Sequence, residues 1–363
     1  MKKTIKIALL AASAAALTAP GASAQTFGGM PTITPQKRAP ATVKEEDEKK
    51  PSYVVVDRGG REGFKTIQAA VDAVAPGGVV VVMPGLYEEN IALDKAVAIQ
   101  GDRGPGAGVR IVPQNASLPC LSYQPKNPQD HAMISNVQFY PGGAARTVAG
   151  SSGLASAMNG ALNTNGATPC IEARGGVFTL MESTVDGGGR HAGTLVNIVG
   201  GTALLEKNTI TGGRRGIFVN QDHPLWDRAL LIDNVVQGNA REGVHLTGVS
   251  SMLATGNLIN ENGAGLIYNG HGDATVVGNK ILGNASHGVL LDREASQVLL
   301  RLNQIWSNDG DGVKVMASTG LIEDNDIDGN AGYEINTLEH TGNVPQYYND
   351  VDANTRSKKK RRR

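Results

Sequence analysis

Residues able to move a proton or hold an anion are concentrated between positions 215 and 314 of the 363-residue chain. The segment Gly265-Leu266-Ile267-Tyr268-Asn269-Gly270-His271 and the later His287-Gly288-Val289-Leu290-Leu291-Asp292-Arg293 place an imidazole, a carboxylate and a guanidinium at comparable points of two similar stretches. Abstracting a proton from a carbon beside a carboxylate needs a base over the C–H bond and a cation to neutralise the carboxylate. On this reading His271, Asp292 and Arg293 form the catalytic group, with His271 as base and Arg293 as cation. Arg241, His245, Asn269, His287 and Lys314 supply the charged and polar contacts that would hold an acidic substrate. Arg215, Phe218, Glu242, Asp309 and Asp311 belong to the same mixture. A second acid on the opposite face must then return the proton or drive β-elimination; Tyr268 falls at an inward position of its strand. Asp222-His223-Pro224 lies in a longer stretch and reads as a bulge.

What must position these side chains is a repeat. Asparagines recur at Asn208, Asn234, Asn257, Asn279, Asn303 and Asn325, spaced by 26, 23, 22, 24 and 22 residues, and a second set follows at Asn239, Asn262, Asn284, Asn308 and Asn330. Strands open at Gly216-Ile217, Gly243-Val244, Gly265-Leu266, Gly288-Val289 and Gly312-Val313. A period near 23 with short strands matches one coil of a parallel β-helix, whose coils stack about 4.8 Å apart. The two-residue side-chain period turns Val244 and Leu246 inward and His245 outward. The asparagines are expected at corners, tolerating left-handed backbone and bonding to turn amides and to one another. A leucine-rich horseshoe lacks its motif here, and a propeller would need about twice the period. The fold class is therefore all-β, a single right-handed parallel β-helix.

The N-terminal part of this body differs. Ile67, Ala70, Val71 and Val74 have helical spacing and precede the buried run Val79-Val80-Val81-Val82, which predicts a short capping helix. From Gly63 to Gly101-Asp102 the chain resembles the opening of pectin methylesterases and of the wider pectin-lyase-like β-helix group. That resemblance implies a helix over the end of the coil stack; the catalytic segments of the esterases do not follow. The coils around His271 and Asp292 resemble the mannuronan epimerases of alginate metabolism, in which an Asp-Pro-His motif ends one strand. By that likeness His271 falls on the motif histidine and Asn269 replaces its aspartate. The resemblance implies an acidic, uronate-containing polysaccharide as partner, with epimerase or lyase chemistry; the alternative is a non-catalytic envelope scaffold.

The remaining features bound this reading. Lys2, Lys3 and Lys6, an apolar stretch to Leu17 and Ala22-Ser23-Ala24 read as a signal peptide over 1–24, which implies a periplasmic or secreted protein with no transmembrane segment. Residues 25–52 read as a disordered linker, 53–340 as the β-helix with an insertion loop at about 141–166, and 341–363 as a disordered basic tail able to contact anionic polymers. Export makes nucleic acid an unsuitable partner for that tail. With 47 glycines, 4% aromatic residues and zero formal net charge, the composition suits stacked coils better than a sandwich. No His and Asp pair has the short spacing of a dedicated metal site, and no glycine loop opens a helix, so neither metal nor cofactor is expected. Cys120 and Cys170 follow Leu118-Pro119 and Thr168-Pro169 at equivalent strand starts; if the insertion loops out they become vertical neighbours and form a disulfide, with two inert buried thiols the alternative.

Overall fold

The computed structural model describes residues 50–351 apart from 60–62, 105–107, 142–167, 222, 224–226, 250, 294, 296, 317–319, 338–345 and 348–349. By internal contacts the chain divides into Met1–Val43 and Lys44–Arg363. The first unit, with the expected signal peptide and most of the linker, lies outside the described residues, as do nearly all of the insertion and the end of the basic tail.

Each coil of the second unit contributes one strand to one sheet and two to another, as in Ser251–Thr255, then Leu258–Asn260 and Ala264–Tyr268. The first sheet has twelve strands; the other has nineteen and turns a corner, so that three faces surround the core. Pairing between successive coils is parallel and in register, for example Val244 with Leu266 and Leu266 with Val289. Inward residues stack into one continuous core: Val244, Leu246, Leu266, Tyr268, Val289, Leu291, Val313 and Val315 are all at most 2% exposed. Each buried aliphatic side chain contributes roughly 1.5–3 kcal/mol, so the core grows with every coil added.

The asparagines hold two of the corners. Asn208, Asn234, Asn257, Asn279 and Asn303 each donate from Nδ2 to Oδ1 of the next asparagine in the column at 2.8–3.0 Å. The same Oδ1 atoms also accept the backbone N–H of the preceding asparagine, as Asn303 Oδ1 does from Asn279 N at 2.9 Å. A parallel column runs from Asn239 to Asn330. The left-handed backbone expected of these residues falls instead on the residue before each: Lys207, Asp233, Leu302 and Asp324 have φ of 53–55°, and Gly256 and Gly278 take φ of 66° and 67°. The asparagine keeps ordinary backbone because its side chain must point inward to bond, and the exposed position beside it absorbs the turn.

The helix Ile67–Ala73 forms at the predicted place, with Thr66 Oγ1 accepting from Ala69 N at 3.3 Å. Its Ile67, Ala70 and Val71 are buried. At the other end the stack passes the expected limit of 340. Gln346–Tyr347 pairs with Gly320–Glu323, and Asp350–Val351 with Asp326–Asp328; in the sequence Asn349 directly precedes Asp350, 24 residues after Asn325, continuing the asparagine spacing of earlier coils.

The cysteines stand on neighbouring coils, Leu121 pairing with Ile171 and Leu121 N donating to Cys170 O at 3.1 Å. Both are buried, and both are free thiols in this structure. Burial and the adjacent Cys120 push the Cys170 thiol well up, keeping it protonated.

Candidate functional site

The strands that begin with Gly and an apolar residue present one outward column along the stack. Register places Glu172 beside Asn197, Asn197 beside Phe218, Phe218 beside His245, and then Ile267, Leu290 and Lys314 in turn. Polar residues occupy both ends of this column and His245 its middle, and charged groups flank it.

The densest part spans the coils of Arg215, His245 and Asn269. Arg215 donates from Nε to Glu242 Oε2 at 2.8 Å, and its guanidinium lies 5.0 Å above the centre of the Phe218 ring. Arg241 Nε is 3.9 Å from the other carboxylate oxygen of Glu242. Phe218 meets the His245 ring edge-on, with centroids 5.2 Å apart and planes at 86°. His245 Nε2 lies 3.1 Å from Asn269 Oδ1. An amide oxygen only accepts, so with this amide orientation Nε2 carries the proton and Nδ1 keeps its lone pair, which is buried without a partner. Burial holds the imidazole below its ordinary pKa, with the Arg215 charge acting in the same direction and the Asn269 bond opposing. For Glu242 burial acts upward, but the Arg215 bond and the charges of Arg215 and Arg241 prevail and leave its pKa lowered. The group is thus a carboxylate held ionised, a neutral imidazole, an aromatic ring and two guanidiniums on one face.

Two further coils toward the N-terminus extend it. Glu172 Oε1 accepts from Arg174 at 2.7 Å and from Asn197 Nδ2 at 3.4 Å. A hollow of about 400 Å³ opens there, lined by Glu172, Arg174, Ser122, Gln124 and Asp94 among others. A smaller one of about 270 Å³ lies over Arg241, Glu242, Ala264 and Ile267.

The predicted residues fall in three places. His245, Asn269 and Arg241 belong to the central group. His287 lies toward the C-terminal end, accepting the backbone N–H of Asp311 at Nδ1 (3.0 Å), with the Asp311 carboxylate 3.5 Å away. That carboxylate also accepts from Tyr333 N and Asn336 Nδ2, and Lys314 stands outward one strand along. His271, Asp292 and Arg293 border the groove just past the strand ends. The Asp292 backbone N–H donates to Tyr268 O, and His271 N to Gly248 O at 2.7 Å. His271 and Arg293 are exposed, and no hydrogen bond or ion pair joins them among the described residues. Tyr268 points inward as expected, its hydroxyl bonded to Gly272 O.

Glu172, Arg174 and Asn197 were not among the sequence candidates. Their strands precede the first corner asparagine, so the repeat did not place them on this face; the alternations Ile171-Glu172-Ala173-Arg174 and Val196-Asn197-Ile198 were the available signals. Among the described residues no three His, Cys, Asp or Glu side chains converge as metal ligands would.

A family model for the right handed beta helix region matches residues 192–354. No curated protein sequence matches the chain. Among solved structures it is similar to ORF18 of Geobacillus virus E2, with 12% identity and a TM-score of 0.53 over 82% of this chain and 61% of that one. The chain thus spans about three fifths of the viral protein. It is also similar to the A-module of the mannuronan C-5 epimerase AlgE4 of Azotobacter vinelandii, with 17% identity and a TM-score of 0.53 over 84% and 94% of the two chains. The protein is a right-handed parallel β-helix. At these identities the likeness concerns the fold alone, and the site speaks for itself.

Proposed function

We propose that the protein, exported from the cytoplasm, binds an acidic polysaccharide of the uronate class along this outward face and acts on the sugar seated at His245. One observation carries the reading: an outward column holds an aromatic ring and a neutral imidazole in register, with a bound amide in the next column and guanidiniums at the flank, at the roughly 4.8 Å rise of the coils. An extended sugar chain laid along that column meets a new rung at about each ring. Arg215 and Arg241 face the carboxylate; Phe218 offers its edge and the remaining ring surface to the sugar's C–H groups. A sugar hydroxyl that takes over the Asn269 amide lets His245 exchange its proton from Nε2 to the unpartnered Nδ1 through solvent, so that Nε2 carries the lone pair. The proton beside the carboxylate then passes to that nitrogen, and its electron pair is spread into the carboxylate under the guanidinium charge. Return of a proton from the other face gives the epimer; expulsion of the neighbouring oxygen gives an unsaturated end.

A second reading, a binding protein without turnover, is favoured by the engagement of Glu242 with Arg215 and of Glu172 with Arg174. The separating experiment incubates the protein with alginate, polymannuronate and pectate in deuterated water. Proton NMR follows exchange beside the carboxylate, and ultraviolet absorbance follows unsaturation. Exchange lost in His245→Ala and kept in His271→Ala supports the central group. The reverse pattern moves the chemistry to His271, Asp292 and Arg293 at the strand ends. Binding with no exchange establishes the second reading, and neither binding nor exchange on any polymer sinks the uronate assignment.

A further inference from the structure

The face opposite in character to the groove is the outward side of the twelve-stranded sheet. Register aligns Leu204, Leu230 and Leu253 in one outward column, interrupted at Thr275 and resumed by Leu299 and Leu321. Ile232 and Val277 lie beside it. An outward sheet face normally alternates polar residues into water, and a contiguous apolar stripe of this length marks a contact surface.

We infer that this stripe is the interface of a homodimer, in which a second copy packs face to face with its coil axis reversed and the two-fold axis runs along the Ser251–Thr255 strand. The charges at the stripe's margins select that arrangement. Rotation about this axis keeps each outward column facing its own counterpart and reverses the order of the coils. Leu253 then meets Leu253, and Leu204 meets Leu299. On one margin Arg228, one coil before the axis, meets Asp273, one coil after it; on the other, Glu206, two coils before, meets Arg301, two coils after. Both contacts join opposite charges, and the symmetry repeats each of them. Arg228 and Asp273 take part in no salt bridge with another described residue. Glu206 pairs with Lys207 in the single chain, and Arg301 with Asp324 and Glu323; Glu206 and Arg301 each keep part of their side chain open to solvent. A dimer with coil axes parallel would set Arg228 against Ile232 and Glu206 against Thr202, with no charge satisfied. The size is adequate: seven rungs with three outward columns put about twenty side chains on each partner, at the lower bound of the roughly 20–30 of a stable interface. Sheets stacked this way lie about 10 Å apart, within reach of the leucine side chains.

The test is sedimentation velocity of the purified protein over a hundredfold concentration range, with circular dichroism and thermal unfolding as controls for folding. The native protein is expected to dimerise. Leu253→Asp places two like charges face to face on the axis and should give a monomer with native circular dichroism and cooperative unfolding, since Leu253 is outward. Arg228→Asp should weaken the dimer roughly tenfold or more, and Arg228→Asp with Asp273→Arg should restore it. A native protein that is monomeric throughout overturns the proposal, as does a dimer that survives Leu253→Asp. A monomer in which a fluorophore on Leu253→Cys is shielded from quencher also overturns it, and would show that another part of the chain covers the stripe.

Discussion

The asparagine corners and the outward groove are built from the same kinds of side chain and obey different rules. At the corners every coil repeats one residue in one conformation, and each amide spends its whole hydrogen-bonding capacity on neighbouring coils. Asn279 donates to Ala254 O, Val277 O and Asn303 Oδ1 and accepts from Asn257 N and Nδ2. On the groove face no residue repeats. Asn269 uses its amide on His245, Asn197 reaches Glu172, and the same column carries Phe218, Ile267 and Leu290 elsewhere. Regularity marks what the fold requires of each coil, and its loss marks where side chains have been released for something other than stacking.

That contrast breaks first at the corners. Asn279→Ala removes five hydrogen bonds and leaves the buried Ala254 carbonyl and Asn257 amide without partners. With roughly 1–3 kcal/mol for each unsatisfied buried group, the loss should be about 3–5 kcal/mol, read as a lower denaturant midpoint. The coil on either side should become open to protease at the same time, because a solenoid fails locally. A drop below about 1 kcal/mol would show that the columns are ornamental. Among the charged residues of the groove the largest stability effect should come from Glu242→Ala, which strands Arg215 partly buried; access of solvent to Arg215 limits the cost to about 1–2 kcal/mol. His245→Ala should change the midpoint by less than about 1 kcal/mol while abolishing exchange on the substrate, the signature of a residue kept for function. Between these falls Gly248→Ala. Gly248 has φ of 109°, and a Cβ there would sit 2.0 Å from Gln221 O. Because Gly248 O accepts the His271 amide, the expected result is a displaced groove edge, seen as altered His271 chemical shifts together with about 2 kcal/mol of lost stability.

The sequence was legible where it was periodic. Corner asparagines, inward apolar pairs and the capping helix could be placed from spacing alone, because each follows from a two- or 3.6-residue period or a fixed coil length. His245 and Asn269 could be placed outward by the same alternation. Their contact could not, since it depends on which of two neighbouring coils lies beside which strand end. The Arg215–Glu242 pair shows the difficulty: its partners are 27 residues apart and meet only after the longer coil around residue 222 has been counted correctly. Glu172 and Arg174 lie between the insertion and the first corner asparagine, where no repeat gave a register. His271, Asp292 and Arg293 follow equivalent strands, which is what brought them together in the sequence reading. Side chains past a strand end point according to the turn that follows, and spacing does not encode that direction.

The smallest expected effect concerns pH, and it separates the two regions without changing a contact. The asparagines do not titrate, so the corners are indifferent to acid. His245 does titrate, and its native pKa lies below the ordinary value, as do those of His131 and His191, in each case with burial as the leading cause. An unfolded chain binds protons on these imidazoles near pH 6.5, whereas the native protein resists until a lower pH. Between those two values the unfolded state carries more protons, so stability rises with pH. The contribution is complete above about pH 6.5 and declines as pH falls toward the native pKa. His245→Gln keeps a polar side chain on the same rung but removes the titration. It should therefore flatten the pH dependence of the denaturant midpoint just below about pH 6.5, with little change at pH 8. An equal slope in the variant would mean that the burial around His245 is relieved by water entering the groove, and would remove the neutral imidazole from the proposed chemistry.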